Sequence, residues 1–214
     1  MKVENIIFDL CGPICDIDVR RIVDSFQQQG VSNAEALFLE LPHKSFIKEF
    51  EAGKISANTF REKIRESISL NLSDESIDKA WNACFVRLPK KHVELLGILK
   101  LKYRLFLLSN SDEINYKFFK ETFEKQLGFN LFQVVFTDSF VSCQTGIRKP
   151  SPESFMQIIE KHNLSAENTL FIDDSPRNVE GARSVSIKSH LLEKTEDIQD
   201  LFDCCLNVKT NLFV

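Results

Sequence analysis

The sequence predicts an α/β fold: a parallel sheet with helices on both faces and an all-helical insertion after the first strand. Three observations predict it. Short apolar runs alternate with helical spacings beyond Pro89, the sign of strands joined by helical crossovers. The stretch 18–84 carries helical spacing throughout, with no β-type run inside it. The first apolar run, Ile6-Ile7-Phe8, closes on Asp9 and enters the turn Cys11-Gly12-Pro13. A carboxylate at the carboxyl end of a buried strand sits where open parallel sheets place their chemistry.

The elements follow in order. Residues 5–9 read as a buried strand. Val19, Ile22, Val23 and Phe26 then fall at helical spacing, as do Phe60, Ile64 and Ile68. Ser32 with Glu35 has the pattern of a capping box, and Ser56 and Ser73 are further N-cap residues. The insertion therefore holds four or five helices. A helix over 90–100 leads to a strand at 104–108, and a helix over 112–125 to a strand at 132–136. Ser151-Pro152-Glu153 opens the next helix, with proline in the first turn and an acidic residue on the dipole. Residues 169–172 form a strand, and Ser175-Pro176 opens a helix in the same way. A last strand lies at 187–192, and Thr195 caps a short helix. Parallel strands of this kind are joined by right-handed crossovers.

Composition narrows the function classes. The chain has 214 residues, 43% hydrophobic and 27% charged, enough for a real core and ordinary for a globular protein. No apolar stretch reaches the ~18 residues of a membrane span. Met1 leads within a few residues into a core strand, leaving no room for a signal peptide, so the expected location is cytoplasmic and no membrane partner is expected. A net charge of -4 without a basic cluster argues against nucleic acid. The six cysteines are irregularly spaced and read as reduced thiols; no Cys-x-x-Cys or His pairing accompanies Cys11 and Cys15 to make a zinc site. The nineteen phenylalanines read as core.

Other chemistry-bearing pieces recur at comparable strand ends: Ser109-Asn110, Lys149 and Asp173-Asp174. A hydroxyl, a cation and an acidic pair around one more carboxylate suit metal-assisted phosphoryl transfer. With seven glycines and no glycine-rich loop, no P-loop competes for the phosphate.

Phe8-Asp9-Leu10-x-Gly12, Leu108-Ser109-Asn110, Arg148-Lys149-Pro150 and Phe171-Ile172-Asp173-Asp174, in that order, resemble the four motifs of the haloacid dehalogenase-like hydrolases. The closer likeness is to the α-D-glucose-1-phosphate phosphatase branch, through Asp16-Ile17-Asp18, Glu51-Ala52-Gly53-Lys54-Ile55-Ser56 and the run from Asp173 to Ala182 that includes Asn178 and Glu180. The resemblance implies a Rossmann-like catalytic core over 1–17 and 85–214, and a helical cap over 18–84. It implies a phosphatase that acts on a small phosphorylated metabolite, such as a sugar phosphate, through an aspartyl-phosphate on Asp9, as a monomer or weak homodimer. The catalytic set would be Asp9, Cys11 and Lys149. Ser109 through its hydroxyl, Asn110 through its backbone N–H, and Lys149 would hold phosphate oxygens. Asp9, the backbone carbonyl of Cys11, Asp173 and Asp174 would hold magnesium (Mg2+), Asp173 directly or through water. Arg148 would face outward, Asn178 would orient the metal ligands or face solvent, and Phe46, Phe50 and Trp81 are candidates to face the pocket that read first as cap core.

Cys11 departs from the usual pattern, which has a second aspartate there to protonate the leaving group. A thiol is a weak hydrogen-bond donor and an unproven acid. Pro13 stiffens the same turn, because its ring fixes φ. Two other readings remain open on the residues: a metal-free dehalogenase-type hydrolase, and a catalytically weak homologue that binds phosphate ligands. The acidic pair argues against the former, since a metal-free site gains nothing from extra negative charge beside an attacking carboxylate.

Overall fold

The structure, a computed structural model, describes residues 2–40 and 44–209. The chain starts with β1 (Asn5–Phe8) and the two-residue strand β2 (Asp16–Ile17). Five helices follow: α1 (Arg20–Gln28), α2 (Ala34–Glu40), α3 (Ser45–Glu51), α4 (Ala57–Ile68) and α5 (Asp74–Trp81). It returns through β3 (Phe85–Arg87), which pairs antiparallel with β2. It continues with α6 (Lys90–Leu99), β4 (Arg104–Ser109), α7 (Glu113–Leu127), α8 (Leu131–Val135) and β5 (Asp138–Val141). Then come α9 (Ser142–Thr145), α10 (Pro152–His162), β6 (Thr169–Asp173), α11 (Pro176–Arg183) and β7 (Lys188–Leu191). A 3-10 turn spans Ile198–Leu201.

The main sheet has the order β5-β4-β1-β6-β7, and every pairing in it is parallel. The chain adds β4 and β5 on one side of β1, then crosses to add β6 and β7 on the other. The carboxyl end of β1 is therefore a topological switch point, where a crevice opens between diverging connections. Strand alternation fills both faces. Ile6, Leu105, Leu107, Leu170 and Ile172 pack into one cluster, and Ile7, Phe106, Leu108 and Phe171 into the other.

The insertion has its own apolar cluster. Ile22, Phe26, Phe50, Phe60, Ile64 and Ile77 meet there, with Phe50 and Phe60 stacked at 4.2 Å between ring centroids. Ser56 and Ser73 cap α4 and α5, accepting from the N–H groups of Thr59 and Ser76. Phe46 and Phe50 are buried in this cluster.

Several sequence expectations need correction. The run 132–136 is not a strand. It lies in α8, whose first N–H groups Asn130 caps through Gln133, while Phe132 and Val135 pack together one turn apart. A short buried apolar run does not distinguish strand from helix by periodicity, and the strand forms downstream at Asp138–Val141. α2 starts at Ala34, later than a cap at Ser32 would place it. Ser151 and Ser175 occupy N-cap positions without capping through their side chains. The last turn is capped by Asp197, not Thr195. The antiparallel pair β2–β3 leaves no signature in the sequence, because two and three residues are too few to show alternation.

Candidate active site

Register brings the motif residues together. Phe8 pairs with Leu107 on one side and Ile172 on the other, so Asp9 stands level with Asp173 at adjacent strand ends. The Asp9 N–H donates to the Ile172 carbonyl at 2.9 Å, which continues the ladder one residue past β1. The loop before α10 delivers Lys149 into the same crevice. Its Nζ lies 2.8 Å from Asp9 Oδ1 and 2.6 Å from Asp173 Oδ2, and the ammonium is shut off from solvent.

The Asp173 oxygens are fully engaged. Oδ1 accepts from the Ser175 N–H at 2.8 Å and from Asn178 Nδ2 at 3.0 Å, and Oδ2 accepts from Lys149 and also from Asn178. Asn178 thus fixes Asp173 from the first turns of α11. Asp174 is exposed and turns toward the loop after β1. Gly12 has φ +97°, and a Cβ there would fall 2.6 Å from the Asp174 carboxyl carbon. Glycine is required both by the conformation and by the close approach.

Burial pushes the Asp9 carboxyl up to about 7, with Lys149 offsetting part of the effect and Asp173 and Asp174 adding to it. Burial opposes the Lys149 charge, but Asp9 and Asp173 outweigh it and hold the ammonium above its usual pKa. Partial burial, then the Asp173 charge, raises Asp174 as well. Three carboxylates face one ammonium, and oxygens of Asp9, Asp173 and Asp174 lie within 4.8 Å of one another. No backbone N–H among the described residues donates to the Cys11 carbonyl beside them. Clustered oxygen donors with excess negative charge fit a magnesium ion, which takes oxygen ligands and keeps several waters. The saturated Asp173 fits contact through water, and the exposed Asp174 fits direct contact.

Cys11 lies against Cys15. A hydrogen bond between the thiols, then burial and the nearby Asp9 charge, push the Cys11 thiol well above its usual range, so it stays protonated. Ser109 ends β4, buried beside the crevice. The Asn110 side chain turns to the loop that carries Lys149. Its Nδ2 donates to the Lys149 carbonyl at 2.9 Å, and its Oδ1 accepts from the Lys149 N–H at 2.8 Å. It holds the lysine backbone.

Arg148 corrects the expectation that it faces outward. It turns inward and pairs with Glu51 at the end of α3. Both line a cavity of about 340 Å3 between the insertion and the strand ends, together with Cys11, Asn110, Ser111 and Trp81. Trp81 donates from Nε1 to Asp112 Oδ2 at 2.9 Å, and Asp112 also caps α7. Burial pushes the Asp112 carboxyl up to about 6 despite these donors. Nothing in the local pattern singles out Asp112 beyond a helix start. Nor does local pattern tie Glu51 to Arg148, because that contact joins segments far apart in the chain.

A family model described as haloacid dehalogenase-like hydrolase matches residues 3–186. The chain belongs to the haloacid dehalogenase-like hydrolases. It is 26% identical over 206 residues to a D-ribitol-5-phosphate phosphatase of Bacteroides thetaiotaomicron, covering 96% of this chain and 99% of that protein. A crystal structure of a family enzyme from the same organism superposes with a TM-score of 0.89 at 30% identity, covering 95% of this chain and all of that one. The wild-type form of such an enzyme in complex with magnesium and inorganic phosphate superposes with a TM-score of 0.86 at 30% identity, over 94% and 100% of the two chains. The Rossmann-like parallel sheet is therefore the haloacid dehalogenase core, and the chain is a hydrolase with phosphatases among its relatives. No helix among the described residues is long and apolar enough to cross a membrane.

Proposed function

We propose that this haloacid dehalogenase-like hydrolase is a magnesium-dependent phosphatase of a small phosphorylated metabolite of the sugar or polyol phosphate class. The observation that carries the reading is Lys149, buried between Asp9 and Asp173 at adjacent strand ends. The named relative supports the substrate class. Residues 18–84 act as a cap over the core formed by 1–17 and 85–214, and enclose the leaving group in the cavity.

Asp9 attacks phosphorus and forms an aspartyl-phosphate while the P–O ester bond breaks, and the leaving oxygen takes its proton from solvent water to depart as the alcohol. Water then attacks the phosphorus of that intermediate, releasing phosphate and regenerating Asp9. Lys149 carries the compensating charge, so that two anions can approach. Ser109 offers its hydroxyl to a phosphoryl oxygen, and Asn110 keeps Lys149 in place. Asp9, Asp174 and the Cys11 carbonyl would hold magnesium with Asp173 assisting, and the ion would supply electrostatic stabilisation of the transferring phosphoryl group. Cys11 stays neutral beside the leaving group and gives it little proton.

Chelation tests the metal. Phosphate release falls to background with excess chelator and returns with magnesium. Saturating magnesium also raises the unfolding free energy, by about 2.7 kcal/mol at a hundredfold excess over Kd. The affinity weakens as pH falls through about 7, because Asp9 must lose its proton to ligate. Activity that survives exhaustive chelation would overturn this assignment.

Cys11 has its own test. Cys11→Asp gains turnover, by at most ~10²–10⁴-fold, as acid-base help allows. The gain is larger for alkyl than for aryl phosphates if leaving-group protonation is the deficit, and similar for both if water activation is. A folded, magnesium-binding Cys11→Asp enzyme that is no faster on any substrate shows that the thiol does not limit the chemistry.

A further inference from the structure

The cavity between α3, α5 and the strand ends has mostly apolar walls, among them Ile22, Ile47 and Trp81. Pockets of this kind, at the small end of the ligand-binding range, fix orientation through a few polar groups. Two such groups have no partner among the described residues: Arg148 Nε and Ser111 Oγ are both buried without a hydrogen bond. Buried polar atoms in native structures are otherwise almost always satisfied. Both residues line the cavity, and so does Glu51, whose carboxylate pairs with Arg148 Nη2.

The charge state of the pair limits what can fill the space. Glu51 already neutralises Arg148. A second anion on the leaving group would compete with Glu51 for the guanidinium and leave a buried carboxylate unpaired, which is costly. A hydroxyl both donates and accepts. It can give its proton to Glu51 or Ser111 and take one from Arg148 Nε without breaking the ion pair. Burial pushes the Glu51 carboxyl up even with Arg148 beside it, so the carboxylate is poorly hydrated and gains from such a donor.

We propose that Glu51, Arg148 and Ser111 form a hydroxyl-reading subsite that selects a neutral, polyhydroxylated leaving group. The proposal rests on the phosphatase reading for its substrate, and makes Glu51 and Arg148 the specificity-determining pair. Sites built to hydrogen-bond a hydroxyl reject the analogue that lacks it, because their own polar groups stay unpaired.

The test is a binding comparison in the non-hydrolysing Asp9→Asn background. D-ribitol 5-phosphate and n-pentyl phosphate share chain length and phosphate and differ in hydroxyls. The expected result is a clear preference for the polyol ester, which Glu51→Gln and Arg148→Lys each reduce by roughly 10- to 100-fold, the worth of a hydrogen bond to a charged group. No preference in the starting protein, or a preference that survives both folded variants, overturns the subsite. Equal weakening of both esters also overturns it, since that marks a clasp that only closes the cavity. If Glu51→Gln fails to fold, Arg148→Lys and Ser111→Ala read the same ratio. Turnover by the wild-type enzyme is measured separately. Preference without turnover removes the phosphatase reading alone, and turnover without preference removes the subsite alone.

Discussion

Asp9→Asn releases no phosphate above background and still folds. The loss is on the order of 10⁴-fold or more, as for removal of a nucleophile in other covalent enzymes. The fold survives because Lys149 keeps Asp173 at 2.6 Å, and because one buried carboxylate fewer relieves the crowding that pushes Asp9 up to about 7. The asparagine amide can still accept the Leu10 N–H that now reaches Asp9 Oδ1 at 2.7 Å. Phosphate-release assays across aryl and alkyl esters measure the first effect, and thermal unfolding measures the second. A retained rate, in protein shown by mass spectrometry to be free of deamidation, would rule out the covalent route.

The second large effect is on stability as well as rate. Lys149→Met removes the ammonium between Asp9 and Asp173 and leaves two adjacent buried carboxylates. Breaking a buried pair from one side typically costs about 3–5 kcal/mol. For a chain of this size that lowers Tm by on the order of 10 °C. Turnover falls severely with it, since the ammonium no longer offsets the Asp9 charge against the approaching phosphate. Magnesium restores part of the lost stability, because a dication replaces the missing charge next to Asp9. Calorimetry of the variant with and without magnesium measures both changes. A Tm within a degree or two of wild type would mean that the carboxylates are less confined than the ion-pair distances imply.

Much of this arrangement was legible in the sequence. Strand ends are where chain order meets spatial order: a carboxylate one residue past a buried run has few places to go once that strand sits in mid-sheet. Asp9, Lys149, Asp173 and Asp174 therefore converge as their spacing suggested. Asn110 shows what was not legible. Its position was readable, but whether its amide faces a ligand or the backbone depends on where the loop carrying Lys149 passes. The same holds for Arg148, whose direction is set by Glu51 on a helix of the insertion. The run at 132–136 failed for a different reason, because tertiary burial makes strand and helix equally apolar and Asn130 settles the matter by capping. Local pattern carries information about elements, and it loses that information wherever a contact joins distant segments.

The two-way clamp between Asn110 and Lys149 bears on how the protein ages. An asparagine deamidates when the next residue's backbone nitrogen attacks its side-chain carbonyl and closes a succinimide ring. In this chain that nitrogen belongs to Ser111, and its N–H donates to Ser142 Oγ at 3.0 Å. The carbonyl oxygen of Asn110 is held by the Lys149 N–H. Both partners of the cyclisation are occupied, and neither can turn toward the other without breaking a buried contact. Asn110 is thus shielded from spontaneous damage for as long as the chain stays folded, and loses that shield when it opens. Isoaspartate at this position would accumulate as a chemical record of past unfolding, written into the loop that steers the lysine.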